Sequence, residues 1–90
     1  MAIVIASHKV KDFNVWKPFF DADAKRRKEM GVKEIKNSHK ADDPNDIFFI
    51  WEVDDPVKFK ELADKDQGLH EIMAKAGVIG GMNITVLKEF

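Results

Sequence analysis

The sequence predicts an α+β fold, a four-stranded antiparallel sheet with helices on one face, in the order β-α-β-β-α-β. Three observations lead there. Apolar or β-branched runs begin near Ala2, Val32, Ile47 and Met82, and two stretches of helical period separate the first run from the second and the third from the fourth. The run Ile47-Phe48-Phe49-Ile50-Trp51 is apolar at five consecutive positions, so both faces of the sheet are covered there. The chain has 90 residues, read as one domain over 1–90, and holds too little helix to cover two faces by itself. A second copy of the chain is the simplest cover.

The first strand runs from Ala2 to Val10 and is apolar on both faces at Ile3, Val4 and Ile5. No basic segment precedes it and the apolar run ends at Ser7-His8-Lys9, too short for a signal peptide or a spanning helix. Asp12 or Asn14 then offers an N-cap. Phe13, Trp16, Phe20, Ala24 and Arg27 follow at spacings of three, four, four and three, one apolar stripe of a single helix. Pro18 is placed in its first turn, where a missing N–H costs nothing. Lys25-Arg26-Arg27-Lys28 reads as a solvated end complementing the helix dipole, and Gly31 as the stop.

Val32 to Lys40 is polar and reads as an edge strand. Asp42-Asp43-Pro44-Asn45-Asp46 is turn chemistry before the buried strand Ile47 to Val53. Asp54-Asp55-Pro56 supplies an N-cap with proline at the first helical position. Phe59, Leu62 and Ala63 begin an apolar period that Asp66-Gln67-Gly68 interrupts and Leu69, Ile72, Met73 and Ala76 resume. Glycine costs about 1 kcal/mol inside a helix and Asp is the better cap. The helix from Pro56 should therefore stop near Lys65 and restart near Gly68 or Leu69. Gly80-Gly81 leads into a last strand, Met82 to Phe90. This is the ferredoxin-like βαββαβ arrangement, dimerising sheet to sheet.

Composition excludes several classes. Fifteen Lys and Arg balance sixteen Asp and Glu, so charge argues for neither nucleic acid nor an anionic membrane surface. The RNA-recognition module shares this element order, but the third strand here lacks its basic and glycine residues. With no cysteine there are no disulfides, iron–sulfur ligands or thiol nucleophiles. The default location is cytoplasmic.

Four segments carry a resemblance: His8-Lys9-Val10-Lys11-Asp12-Phe13 with Trp16-Lys17, Ala41 to Asp46, Glu52 to Asp55, and Met73 to Val78. Through them the chain resembles the dimeric α/β-barrel superfamily, which holds antibiotic-biosynthesis-type monooxygenases, muconolactone isomerases and many small uncharacterised proteins. The resemblance implies a homodimer with a pocket between each sheet and its own helices. It also implies a cofactor-independent monooxygenase-like or isomerase-like enzyme acting on a small aromatic or conjugated molecule. The alternative is a non-catalytic small-molecule-binding or regulatory module. No metal is expected, because His8, His39 and His70 fall on three separate elements. Haem-degrading members need an axial histidine on the second helix, where alignment sets Met73 rather than His70. The chain has no tyrosine, a departure from the quinone-forming members.

His8 and His70 are the candidate catalytic bases, since histidine titrates near neutrality. Trp16, Phe20, Trp51 and His39 are the candidate substrate-binding residues. The two indoles add N–H donors that could steady a substrate anion, and Phe19, Phe48, Phe49 and Phe59 are further candidates for an aromatic wall.

Overall fold

The computed structural model describes residues 2–90. Its elements are β1 (Ala2–Val10), α1 (Phe13–Ala22), α2 (Ala24–Glu29), β2 (Val32–Lys40), β3 (Asp43–Val53), α3 (Pro56–Lys65), α4 (Gln67–Lys75) and β4 (Val78–Leu87). The four strands form one antiparallel sheet in the order β2-β3-β1-β4, which makes β2 and β4 the edges. Among the described residues no helix is long and apolar enough to cross a membrane.

Register decides which side chains meet the helices. Val4 pairs with Trp51, Ala6 with Phe49 and His8 with Ile47, and all six are buried beneath the helical layer. The alternate pairs, Ile5 with Ile50 and Ser7 with Phe48, lie on the other face. There Ile5, Phe48 and Ile50 each stay 38% exposed. The two-faced apolarity of the third strand is therefore real, and within one chain only the helical side of it is covered. Trp16 from α1 and Phe59 from α3 complete the core, with Ala76 just beyond α4. Burying side chains of this kind stabilises the fold by roughly 1.5–3 kcal/mol each for the larger ones.

The caps follow the sequence closely. Asp12, not Asn14, caps α1, accepting from the Asn14 N–H at 2.9 Å. Asp55 accepts from the Lys58 N–H at 3.1 Å with Pro56 opening α3, and Asp66 accepts from the Leu69 N–H at 3.1 Å to open α4. The second helix thus breaks at Asp66, within two residues of the expected restart.

Four expectations need correcting. The first helix is also broken, at Asp23, whose N–H turns back to the Phe20 carbonyl at 3.2 Å. Pro18 lies in the second turn of α1, where it deprives the Asn14 carbonyl of its donor. Both residues are exposed, so water can serve that carbonyl. The strand β3 starts at Asp43 rather than Ile47, because Lys40 pairs with Asp43 across a tight turn at Ala41-Asp42. The last strand starts at Val78 and ends at Leu87, with Gly80 and Gly81 inside it. Gly80 adopts φ 71°, and the β1–β4 register shifts between Ser7 and Lys9. Left-handed glycine at a β-bulge explains why a glycine pair need not end a strand.

Candidate functional site

A small cavity lies between the helical layer and the sheet. His8 from β1, Phe49 and Trp51 from β3, Trp16 and Phe20 from α1 and Phe59 from α3 wall it, with Leu69, Ile72 and Met73 above and Met30 and Met82 at its sides. The rings interlock. Phe20 stacks on Phe49 at 5.5 Å, Trp16 lies 4.9 Å from Phe20, and Trp51 lies 4.6 Å from Phe49.

His8 is the unusual member. It is only 5% exposed, its ring meets Trp16 and Phe49 edge-on, and among the described residues neither ring nitrogen has a hydrogen-bond partner. A buried imidazole without partners gives up its hydration for nothing in return, at roughly 1–3 kcal/mol per unsatisfied group. The same desolvation disfavours the charged ring and lowers its pKa from 6.5 to about 4. At neutral pH the ring at the cavity wall is therefore a neutral imidazole, with one nitrogen able to donate and the other to accept.

Strand alternation brings His8 to this position, in phase with the buried Val4, Ala6 and Val10. On its β3 side His8 pairs with Ile47, whereas on the β4 side the register breaks opposite it, near the side-chain-free Gly80 and Gly81. Asn45 fixes the strand's far end. Its Oδ1 accepts from the Phe13 N–H at 2.8 Å and its Nδ2 donates to the Lys11 carbonyl at 3.3 Å, joining β3 to the connection between β1 and α1.

The candidates from sequence separate cleanly. His8, Trp16, Phe20 and Trp51 come together around the cavity, joined by Phe19, Phe49 and Phe59. His39 does not join them. It sits on β2 with its ring edge-on to Phe13 at 5.4 Å and its Nδ1 2.9 Å from the Lys40 carbonyl. His70 does not line this cavity either. Its Nε2 lies 2.7 Å from the Ala63 carbonyl, tying α4 back to an end of α3 whose carbonyls lack helical donors. Phe48 is on the open sheet face. The Trp51 N–H is already engaged, donating to Asn37 Oδ1 at 2.7 Å, so it is not free to hold an anion.

Sequence reasoning passed over the arginines. Arg26 and Arg27 line the cavity, half-buried, instead of extending into solvent. Arg26 donates from Nε to Asp23 Oδ1 at 3.1 Å and from Nη1 to Asp66 Oδ2 at 2.8 Å, so one guanidinium ties both helix breaks together. Arg27 lies 3.7 Å over the Phe20 ring, donates to the Phe20 carbonyl at 2.7 Å and pairs with Glu34. The sequence signal was the cavity-side phase of Arg27 on the α1–α2 stripe. Among the described residues no group of three His, Asp or Glu side chains is placed to hold a metal ion.

Solved structures with this architecture cover nearly the whole chain. One is a Nitrosomonas europaea protein provisionally named an antibiotic biosynthesis monooxygenase, with TM-score 0.69 and 12% identity over 99% of this chain and 98% of that one. Another is titled an antibiotic biosynthesis monooxygenase, with TM-score 0.69 and 14% identity over 100% and 99%. A third is a dimeric ferredoxin-like protein from an uncultured marine organism, with TM-score 0.61 and 16% identity over 100% and 98%. The fold is that of the antibiotic-biosynthesis-monooxygenase-like proteins. No family model matches the sequence, and no curated protein matches it. Within this ferredoxin-like fold the His8 cavity lies where the resemblance places a pocket, between the sheet and its own helices.

Proposed function

We propose that the cavity binds a small, mostly apolar molecule carrying a hydroxyl or carbonyl group, and that His8 hydrogen-bonds that group and accepts a proton from the ligand. The observation that carries this reading is the pair of unpartnered nitrogens on a buried ring at the cavity wall. A ligand oxygen there would restore the hydrogen bonding that folding removes. His8 is a weak base in its buried, apolar surroundings, but a negative charge forming within about 4–6 Å favours the imidazolium and offsets the desolvation. It is suited to a proton whose departure leaves an anion at its side, such as one on carbon next to a carbonyl.

Returning that proton to another carbon completes an isomerisation with no net change of oxidation state. With dioxygen as co-substrate, the same carbanion leads to a monooxygenase-like outcome. One methylene group and one dioxygen then give one ketone carbonyl and one water, the carbon being oxidised and both oxygen atoms reduced. The names of the structural neighbours support this second course. A binding or regulatory module is the other reading, favoured by the lack, among the described residues, of any group hydrogen-bonded to His8 and by the engaged Trp51 N–H.

Deuterium exchange at the carbons beside the carbonyl of 2-tetralone in heavy water, followed by NMR, separates the two. The wild type should speed exchange and His8→Gln should not. Binding of the ketone without His8-dependent exchange supports the module. We also propose that two copies pack their open sheet faces together, since Ile5, Phe48 and Ile50 form an uncovered apolar patch across two paired strands.

A further inference from the structure

The cavity beside His8 measures about 70 Å³. An engineered apolar cavity that admits benzene is roughly twice that size, about 150 Å³. Any ring-sized ligand therefore needs wall atoms to move. A second cavity of about 370 Å³ lies against the first, between α3, α4 and β4. Four residues line both: Ala63, Leu69, Met73 and Met82. Of these, the two methionines are unbranched, polarizable and able to change shape at low cost. Every methionine after Met1 lines the inner cavity. The outer cavity opens at Gly80 and Gly81, where an added Cβ would meet nothing within 4 Å.

We propose that Met73 and Met82 form a movable partition through which the ligand reaches His8, and that the bound ligand is elongated enough to occupy both cavities. This rests on the reading of His8 as the partner of the ligand's oxygen. The head then sits at His8, an apolar body passes the two thioethers, and the far end emerges beside Gly80 and Gly81. The outer cavity falls in the roughly 300–1,000 Å³ range of ligand pockets, and the inner one alone does not. Entry between the helices on the opposite side would have to break the contacts from Arg26 to Asp23 and Asp66. Parting two methionines breaks no hydrogen bond.

The test uses the full chain, the fluorescence of Trp16 and Trp51, and three probes: phenol, 4-phenylphenol and biphenyl. The wild type should bind 4-phenylphenol about tenfold or more tighter than phenol. Met73→Ile and Met82→Ile, stiffened by β-branching, should each slow association and cut the advantage of the longer phenol. In wild-type protein labelled at the methionine methyl carbons, the Met73 and Met82 signals should shift when 4-phenylphenol is added, a readout that does not depend on any variant folding. Equal binding of the two phenols, or unmoved signals from both methyls, overturns the partition. His8→Phe should weaken both phenols by a clearly larger factor than biphenyl. If it weakens them no more than biphenyl, the role of His8 fails while the comparison of probe lengths still judges the partition. If no probe binds, both fall.

Discussion

The imidazole of His8 meets the indole of Trp16 edge to face, with centroids 5.6 Å apart and planes at 86°. Phe49 meets the same ring at 5.4 Å and 66°. His8 is thus packed as a phenylalanine would be, while its nitrogens find no hydrogen-bond partner among the described residues. Aromatic contacts of this geometry contribute about 0.5–1.5 kcal/mol beyond area burial. They do not replace two hydrogen bonds.

His8→Phe should accordingly raise stability. Removing the unsatisfied nitrogens recovers about 1–3 kcal/mol, and the adjoining cavity leaves room for the slightly larger ring. Urea denaturation with an unchanged m-value checks this. A loss of stability in the variant would show that the nitrogens do hold something in solution.

The stability of the wild type should fall as the medium is acidified through the mildly acidic range. The unfolded chain protonates His8 near its ordinary value of 6.5, and the folded protein does so only at about 4. Between those values the unfolded state binds more protons. The contribution is therefore complete above 6.5 and is lost as pH falls toward 4, about 3 kcal/mol in all. Asp66 is held below its ordinary 3.8 by the Leu69 N–H and Arg26, so its own contribution fades only at still lower pH. Denaturation curves of wild type and His8→Phe between about pH 7.5 and 4.5 should diverge. Parallel curves would refute the shift.

Asn37→Ala should cost about 1–3 kcal/mol, because it strands the N–H of Trp51, a residue 4% exposed. The near-ultraviolet circular dichroism of the indole should change with it. Lys36→Ala, at the exposed neighbouring position, should stay within about 0.5 kcal/mol of wild type.

Phe48→Lys should convert a sedimenting dimer into a monomer, because it sets a charge in the middle of the proposed sheet-to-sheet contact. The His8 cavity lies on the opposite face, so phenol binding should survive in the monomer. A wild type that already sediments as a monomer would remove the dimer.

Much of this was legible in the residues, and the remainder fails for identifiable reasons. The break at Asp66 showed because an aspartate cap and a glycine coincide there. The break at Asp23 did not, because no glycine accompanies that aspartate, and the Arg26 guanidinium that joins it to Asp66 makes a contact forty residues away along the chain. Gly80-Gly81 reads as punctuation in one dimension and proves to be a bulge in two. His8 could be placed on its strand, but nothing in its neighbours along the chain shows that both nitrogens lose their partners. Likewise His70 and His39 share the chemistry of His8, and only helix phase and register carry the first to the outer cavity and the second to β2. Asn37 was hidden on a strand polar enough to look merely solvated.

Arg26 binds the two helix interruptions to one another. The layer above the sheet consequently has a stiff edge, where charged groups clasp, and a pliant edge at β4, where thioethers and glycines meet. Stability and ligand range are set at opposite ends of the same roof. A chain built on this plan could exchange residues at the pliant edge and accept differently shaped molecules, while the clasp keeps the helices seated as before.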